Sequence, residues 1–397
     1  MKKHLLLISM MIVIMCVTLV VPINSEENEN KQEDTPQEVN LAPNAKSAIL
    51  IERDTGHVIY EKNANEVLPP ASMTKVMTLL LIMEALDNGE LKLDEMVRVS
   101  ERAASMGGTQ IFLEAGEEMS VKDMLKGIAI GSANDASVAL AERIAGSEAA
   151  FVERMNAKAR KLGLEHTQFK NPSGLPASDH HTTAHDLAIM AKELLKYETI
   201  TEYTSIYEDY LRKGQDNEFW LVNTNKLVKF YPGVDGLKTG YTNEAKYGLT
   251  ATAEQDGMRL IAVVMGAETS KERNKMVSSM LDYAFNQYDT TQLFAQGDVI
   301  THLTKLKAHE EKTPIVTSES VSTIHKKGSP SEQIETTVKL HDTIKLPLHK
   351  GDQVGVLLVK DGDDVLSKTP LIVNQDVTEA SIYTLFKRSI RELAKNR

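Results

Sequence analysis

The sequence predicts an α+β domain, an antiparallel sheet flanked by helices with a helical insert, followed by a small all-β domain and a C-terminal amphipathic helix. Three observations carry this. β-prone runs near Lys46–Tyr60 and Gly248–Met265 bracket a region of helical periodicity, so one sheet must be completed by distant segments. From Gly297 to Gln375, short β-prone runs such as Thr336–Leu340 and Gln353–Val359 alternate with turns at Lys327-Gly328 and Asp361-Gly362-Asp363. After Val377, apolar and basic residues recur at helical spacing.

In chain order, Met1–Ser25 reads as a secretory signal, with Lys2 and Lys3 before an uncharged stretch from Leu5 to Val21. That stretch is longer than most signal cores, so an uncleaved anchor is the alternative; either way the rest of the chain is exported. Glu26–Asn40 is rich in Glu, Asn and Gln without an aromatic residue, and reads as a flexible tether. Ser47 to Glu52, the turn Asp54-Thr55-Gly56 and His57 to Tyr60 form a hairpin pattern. Pro69-Pro70 then precedes an apolar run from Met73 to Leu86; proline suits the first turn of a helix and not its interior, so a helix starts here. Helical periodicity continues at Val121–Ile130, Ala136–Ile144, Phe151–Leu162 and Ala184–Leu195. Strand patterns return on either side of Gln255-Asp256-Gly257, and a helix is expected near Lys271–Tyr288. The expected organisation is signal 1–25, tether 26–40, α+β domain 41–290, all-β domain 291–376 and amphipathic helix 377–397.

In the last segment Ile382, Leu385, Phe386, Ser389 and Leu393 share a mostly apolar face, with Lys387, Arg388, Arg391 and Lys395 filling much of the rest. Such a helix can lie in a membrane surface, its cations drawn to anionic lipid; the alternative is a helix docked on its own domain.

Composition narrows the function. The 397 residues, 42% hydrophobic and 25% charged, suit a globular chain with room for two domains. A net charge of -11 argues against nucleic-acid binding, and any membrane attachment of so acidic a body must be local. The one cysteine, Cys16, lies in the apolar leader, so thiolate metal chemistry and disulfides are excluded from the rest of the chain.

Ser72 and Lys75 stand three apart at the expected helix start, so their side chains share a face. A serine hydroxyl becomes a nucleophile when a base takes its proton, and a lysine serves as that base only if burial or a neighbouring cation lowers its pKa. A second lysine is therefore expected nearby. Gly131-Ser132-Ala133-Asn134 is a loop between helical runs, where Gly131 permits a bend, Asp135 can cap the next helix, and Ser132 and Asn134 can face a cleft. Lys238-Thr239-Gly240 precedes a strand; Lys238 supplies the second cation, and Gly240 permits close approach of a substrate backbone. Taken singly, these are also a helix start, a helix-helix turn and a strand end.

Together and in this order they resemble the motif set shared by class A β-lactamases and penicillin-binding proteins. The flanks "LPPASMTKVMT", "FKNPSGLP", "HHTTAHDLA", "YPGVDGLKTGYT" and "RLIAVVMGAET" resemble the low-molecular-weight penicillin-binding proteins that act as serine-type D-alanyl-D-alanine carboxypeptidases, most of all their sporulation-associated branch. The resemblance runs from about residue 41 to the C-terminus. It implies a catalytic domain of the penicillin-binding/β-lactamase type, with peptidoglycan stem peptides ending in D-Ala-D-Ala as substrates and β-lactams as inhibitors. It further implies that Ser72 attacks the carbonyl between the D-alanines, that Lys75 takes its proton, and that Lys75 with Ser132 carries protons in both half-reactions. Asn134 would bind the peptide amide, and Lys238 with Thr239 would fix the substrate. Backbone N–H groups of Ser72 and Tyr241 would form the oxyanion hole, and Arg273 would bind the terminal carboxylate. Ser173 replaces a frequent histidine or threonine of relatives, which puts a role for that side chain in doubt.

No cofactor or metal is expected. His180, His181 and His185, with Asp179 or Asp186, are the competing constellation, but no H-E-x-x-H pattern accompanies them. A β-lactamase is the second reading. The deacylating glutamate of class A enzymes sits in a Glu-x-x-Leu-Asn stretch, and no Leu-Asn pair occurs here. A non-catalytic penicillin-binding sensor or scaffold is the third.

Overall fold

The structure, a computed structural model, describes residues 39–329 and 334–395. The expected signal and nearly all of the expected tether lie outside the described residues. Strands β1 (Ser47–Glu52), β2 (Val58–Lys62), β3 (Val234–Thr242), β4 (Lys246–Gln255) and β5 (Met258–Ala267) form one antiparallel sheet, ordered β2-β1-β5-β4-β3. The early hairpin pairs with the last strand of the domain, Ser47 opposite Met265 and Glu52 opposite Leu260. The sheet is thus completed by distant segments.

Alternate side chains of a strand face opposite sides, and both sides of this sheet are covered. Ile49, Ile51, Ile261 and Val263 join the core of the helical insert, while Leu50, Leu260, Ala262 and Val264 meet the helix Ser270–Gln287 through Met276, Val277, Met280 and Leu281. Burial on both faces explains why β5 reads as a nearly unbroken apolar run. In the insert, α1 (Lys75–Asp87) is apolar all round and buried from Lys75 to Met83, as a helix must be when others surround it. Around it lie α2 (Val121–Gly131), α3 (Asn134–Ala145), α4 (Glu148–Lys161) and α5 (Ala184–Leu194). Side-chain oxygens of Ser120, Ser147 and Thr183 accept from the third backbone N–H beyond and cap α2, α4 and α5. The insert also holds two short antiparallel strand pairs absent from the sequence reading, Met96–Arg98 with Glu118–Ser120 and Glu208–Leu211 with Phe219–Val222.

The helix Ser270–Gln287, here α6, leads straight into β6 (Tyr288–Phe294). That strand pairs with Val321–Lys326, beside a five-stranded sheet around Leu303, Ile315, Val354, Leu357 and Leu371. Ser322 Oγ donates to Asp54 Oδ2 at 2.6 Å, and Glu319 lies 3.6 Å from Lys196 Nζ, tying this domain to the first.

The final helix, α7 (Ile382–Lys395), is attached with its polarity reversed relative to an ordinary docked helix. Arg388 is buried and donates to the carbonyl oxygens of Leu306, Ala308 and His309, while Ile382, Tyr383, Phe386 and Ile390 stand exposed on one side. Among the described residues, no helix is long and apolar enough to cross a membrane.

Candidate active site

Ser72 lies in a single 3-10 turn, Ala71–Thr74, that opens directly into α1. Residues three apart eclipse one another in a 3-10 turn, which is tighter than the expected α-helical start and brings Lys75 Nζ within 3.2 Å of Ser72 Oγ. The turn is compressed from both sides. Ala71 has φ +48, and a Cβ on Gly174 would fall 1.9 Å from the Ala71 carbonyl oxygen, so the "NPSGL" glycine is where a second segment presses on the Ser72 turn. From the other side a Cβ on Gly240 would fall 2.7 Å from Pro70 O. The close approach expected at Gly240 is therefore made by the protein's own serine turn.

Lys75 is fully buried. Its Nζ meets Asn134 Oδ1 at 2.7 Å and the Ser173 carbonyl at 2.6 Å, besides Ser72 Oγ. A neutral amine has two N–H donors and one lone pair, so two acceptors take the protons and the lone pair is left for the serine hydroxyl. Burial, and then the Lys238 cation, push the Lys75 pKa well below the usual lysine value, against the opposing pull of Asp135. The second lysine expected from sequence is thus the electrostatic neighbour of the first. Lys238 is itself buried, donates to the Thr239 carbonyl at 3.1 Å, and is lowered to about 7 by burial and by Arg273.

The middle motif differs in detail from the reading of the sequence. Ser132, at φ +64, makes the left-handed bend expected of Gly131, an arrangement that costs a non-glycine residue about 1–3 kcal/mol. Asn134 donates to Gly107 O at 2.7 Å and accepts from Lys75, so its carboxamide oxygen is turned onto the Lys75 amine. Asp135 lies inside the first turn of α3 rather than at its N-cap, which is Ala133, and its carboxylate accepts from the Ala136 N–H at 2.9 Å. The same carboxylate also accepts from the backbone N–H groups of Ile111 and Leu113 and holds that loop against the site.

Ser72, Ser132, Thr239, Gly240, Tyr241 and Arg273 line one cleft of about 380 Å³. Thr239 Oγ1 donates to Thr224 Oγ1 at 2.7 Å. Tyr241 is half exposed and packs on Tyr247 with ring centroids 4.4 Å apart. Arg273, in the first turn of α6, is 4% exposed; burial lowers it to about 10, and it donates to Asn274 Oδ1 and the Gly248 carbonyl. All nine residues singled out in the sequence meet here, with Lys75, Asn134 and Lys238 packed behind the cleft.

Residues 31–269 match the Peptidase_S11 family, D-alanyl-D-alanine carboxypeptidase, and residues 288–379 match the penicillin-binding protein 5 C-terminal domain. The chain belongs to the S11 carboxypeptidases. It is 54% identical to D-alanyl-D-alanine carboxypeptidase DacF of Bacillus subtilis over 92% of this chain and 94% of that one, and 33% identical to DacC of Escherichia coli over 85% and 86%. Among solved structures it resembles penicillin-binding protein 5 of Haemophilus influenzae, at TM-score 0.65 and 29% identity over 85% of this chain and 98% of the other. An ampicillin-bound penicillin-binding protein D2 of Listeria monocytogenes matches at TM-score 0.56 and 33% identity over 62% and 100%. The chain is a serine-type D-Ala-D-Ala carboxypeptidase, in a family of exported cell-wall enzymes.

Several parts of this carboxypeptidase site went unread in the sequence. Thr109, Thr224, Lys226 and Asn274 line the cleft, but none sits in a motif with its own chemistry. The Ser173 contact with Lys75 runs through its carbonyl, while its hydroxyl donates to Asn171, so this position supplies the site with backbone rather than side chain. Two of the competing histidines are otherwise engaged. His180 is buried between Thr74 Oγ1, 2.8 Å from Nε2, and the Lys170 N–H, 3.3 Å from Nδ1; burial lowers it to about 4. His185 faces Asp186. Among the described residues, no group of three or more His, Cys, Asp or Glu is arranged to hold a metal ion.

Proposed function

We propose that the carboxypeptidase works through an acyl-enzyme on Ser72, with Lys75 as general base, and trims the terminal D-alanine from peptidoglycan pentapeptide stems, limiting cross-linking. The observation that carries this is the buried Lys75 amine, held well below the usual lysine pKa by burial and Lys238, whose Nζ reaches Asn134 Oδ1, the Ser173 carbonyl and, at 3.2 Å, Ser72 Oγ. Ser72 Oγ attacks the carbonyl between the D-alanines as its proton passes to Lys75. Return of that proton to the departing amine releases D-alanine, and water hydrolyses the ester by the same route, with Ser132 completing the proton path. Asn134 orients the base, and its contact with the substrate amide follows when substrate enters. The N–H groups of Ser72 and Tyr241 stabilise the oxyanion, one such donor being worth about 3 kcal/mol of barrier. Lys238, Thr239 and Arg273 form the cationic end that takes the free carboxylate, and a guanidinium fork suits that group. The test is D-alanine release from an acyl-Lys-D-Ala-D-Ala peptide together with a lasting penicilloyl mass shift on the peptide containing Ser72. Rapid release of hydrolysed penicillin would favour a β-lactamase instead, and a lasting adduct without D-alanine release a sensor.

We further propose that this enzyme acts outside the cytoplasmic membrane, in the sporulation-associated branch, and rests on the lipid surface through α7. Support comes from the leader-like N-terminus and from Ile382, Tyr383, Phe386 and Ile390, exposed on one side of a helix whose Arg388 is tied to the β domain. Protein lacking residues 1–25 is expected to sediment with anionic phospholipid vesicles, and protein lacking 377–397 as well is expected to stay in solution. Equal sedimentation of the two would end this reading.

A further inference from the structure

The loop between α4 and α5 lies along one face of the serine turn and α1. It meets them at Ala71, Thr74, Lys75 and Thr78, the i, i+3, i+4, i+7 spacing of a single helical face. The Gly174 backbone packs on the Ala71 carbonyl, where a Cβ would fall 1.9 Å away. His180 Nε2 lies 2.8 Å from Thr74 Oγ1; because the Lys170 N–H donates to Nδ1, Nε2 carries the proton and donates to the threonine. The Ser173 carbonyl accepts from Lys75 Nζ, and the Pro172 carbonyl from Thr78 Oγ1, each at 2.6 Å. Thr74, Lys75 and Thr78 are buried, so these contacts are made away from water.

The loop owes its shape to one side chain. Asn171 Oδ1 accepts from the Ser173 N–H at 3.1 Å, the Ser173 hydroxyl at 3.1 Å and the Gly174 N–H at 2.7 Å. An asparagine oxygen readily makes such a turn with the backbone two residues on, and here Nδ2 closes the far end by donating to the Leu175 carbonyl at 2.9 Å. The Ser173-Gly174 peptide is trans, so its C=O and N–H point in opposite directions. Asn171, by holding the N–H, aims the carbonyl of the same peptide unit at Lys75. Asn171 lines neither the Ser72 cleft nor a second cavity, of about 520 Å³, that opens beyond Thr242 with Asp179 and Glu244 on its wall. Its route to the chemistry is the peptide unit it holds.

We infer that Asn171 is a positioning residue for the general base: it fixes the Ser173 carbonyl as an acceptor for Lys75, so that the neutral amine presents its lone pair to Ser72 Oγ. The inference rests on the reading of Lys75 as the base. The charged groups that act on Lys75, Lys238 on β3 and Asp135 on α3, are untouched by a change at Asn171.

The experiment measures kcat and KM for Nα,Nε-diacetyl-Lys-D-Ala-D-Ala in Asn171→Ala, Asn171→Ser and Asn171→Asp, per site titrated by prolonged exposure to penicillin. Alanine removes the acceptor, and kcat should fall by about 10–100-fold, as for a reacting group displaced by about an ångström, with KM within about twofold of wild type. Penicillin acylation should slow by the same factor, because it uses the same base. Aspartate offers the same acceptor and should recover most of the wild-type kcat. A carboxylate near a buried amine favours the ammonium, so the acid limb should move to higher pH in this variant, and recovery is read on the alkaline plateau. Serine, whose hydroxyl can take over part of the turn, should fall between alanine and aspartate. A residue that only stabilised the loop would lower the denaturant midpoint and leave kcat per titrated site unchanged. Wild-type kcat in Asn171→Ala, a loss carried by KM, or a loss that aspartate does not restore overturns the positioning role. If the alanine protein does not fold, equal plateau kcat in the serine and aspartate variants overturns it. An acid limb that survives in Lys75→Gln instead overturns the reading of Lys75 as base, and the positioning role with it.

Discussion

Ser72→Ala protein is expected to release no measurable D-alanine and to form no penicilloyl adduct. Without Oγ there is no atom to form the ester, and what survives is binding plus oxyanion stabilisation. In serine hydrolases that residue of catalysis is about 10³–10⁴ over water, far below a working enzyme. The substitution is small, and Oγ has Lys75 Nζ as its hydrogen-bond neighbour at the head of a turn held by Gly174 and Gly240. The fold should therefore persist, with an unchanged denaturant midpoint as the control. D-alanine release from this variant above background would remove Ser72 from the chemistry.

Lys75→Gln separates the base from the nucleophile. A glutamine can still offer N–H groups towards Asn134 and Ser173, but it has no lone pair basic enough to take the Ser72 proton. Loss of a positioned general base typically costs about 10²–10⁴ in rate, so D-alanine release and penicillin acylation should fall together by that order. The pH profile gives a second signature. The neutral amine is the active form and exists above its pKa, so wild-type kcat/KM falls as pH drops through the lowered Lys75 value. In Lys75→Gln that acid limb should vanish from the residual activity. An intact limb in the variant would assign it to another group, with Lys238, at about 7, the first to examine.

Much of this site was legible because the serine and lysine at its centre are neighbours in sequence. Ser72 and Lys75 meet through three-residue spacing alone, and the proline pair sets where the helix starts. The need for a second lysine followed from acid-base chemistry, and Lys238 answered it in a strand motif. What remained unread lies in contacts between segments remote in the chain. The Lys75 amine is oriented by a carboxamide 59 residues away and a carbonyl 98 residues away, and no periodicity announces either. Gly131 looked like the bend because glycine is conformationally free, but it is the last residue of α2, and the left-handed turn falls on Ser132. Arg273 reads equally as a surface helix residue until the helix is laid across the sheet beside Lys238.

Sequence by itself determined the local chemistry and the order of the parts: the serine and lysine on one face, the hairpin, the helical insert, the β domain and the two-faced last helix. These follow from spacing, turn chemistry and apolar period, which act over a few residues. Tertiary structure alone decided the lowered proton affinity of the buried lysines and the extent of the site along β3. A lysine gives up its proton more readily where water is excluded or a second cation is close, and the acidic cavity beyond Thr242 exists only where the serine turn, the "NPSGL" loop and the edge strand are packed together.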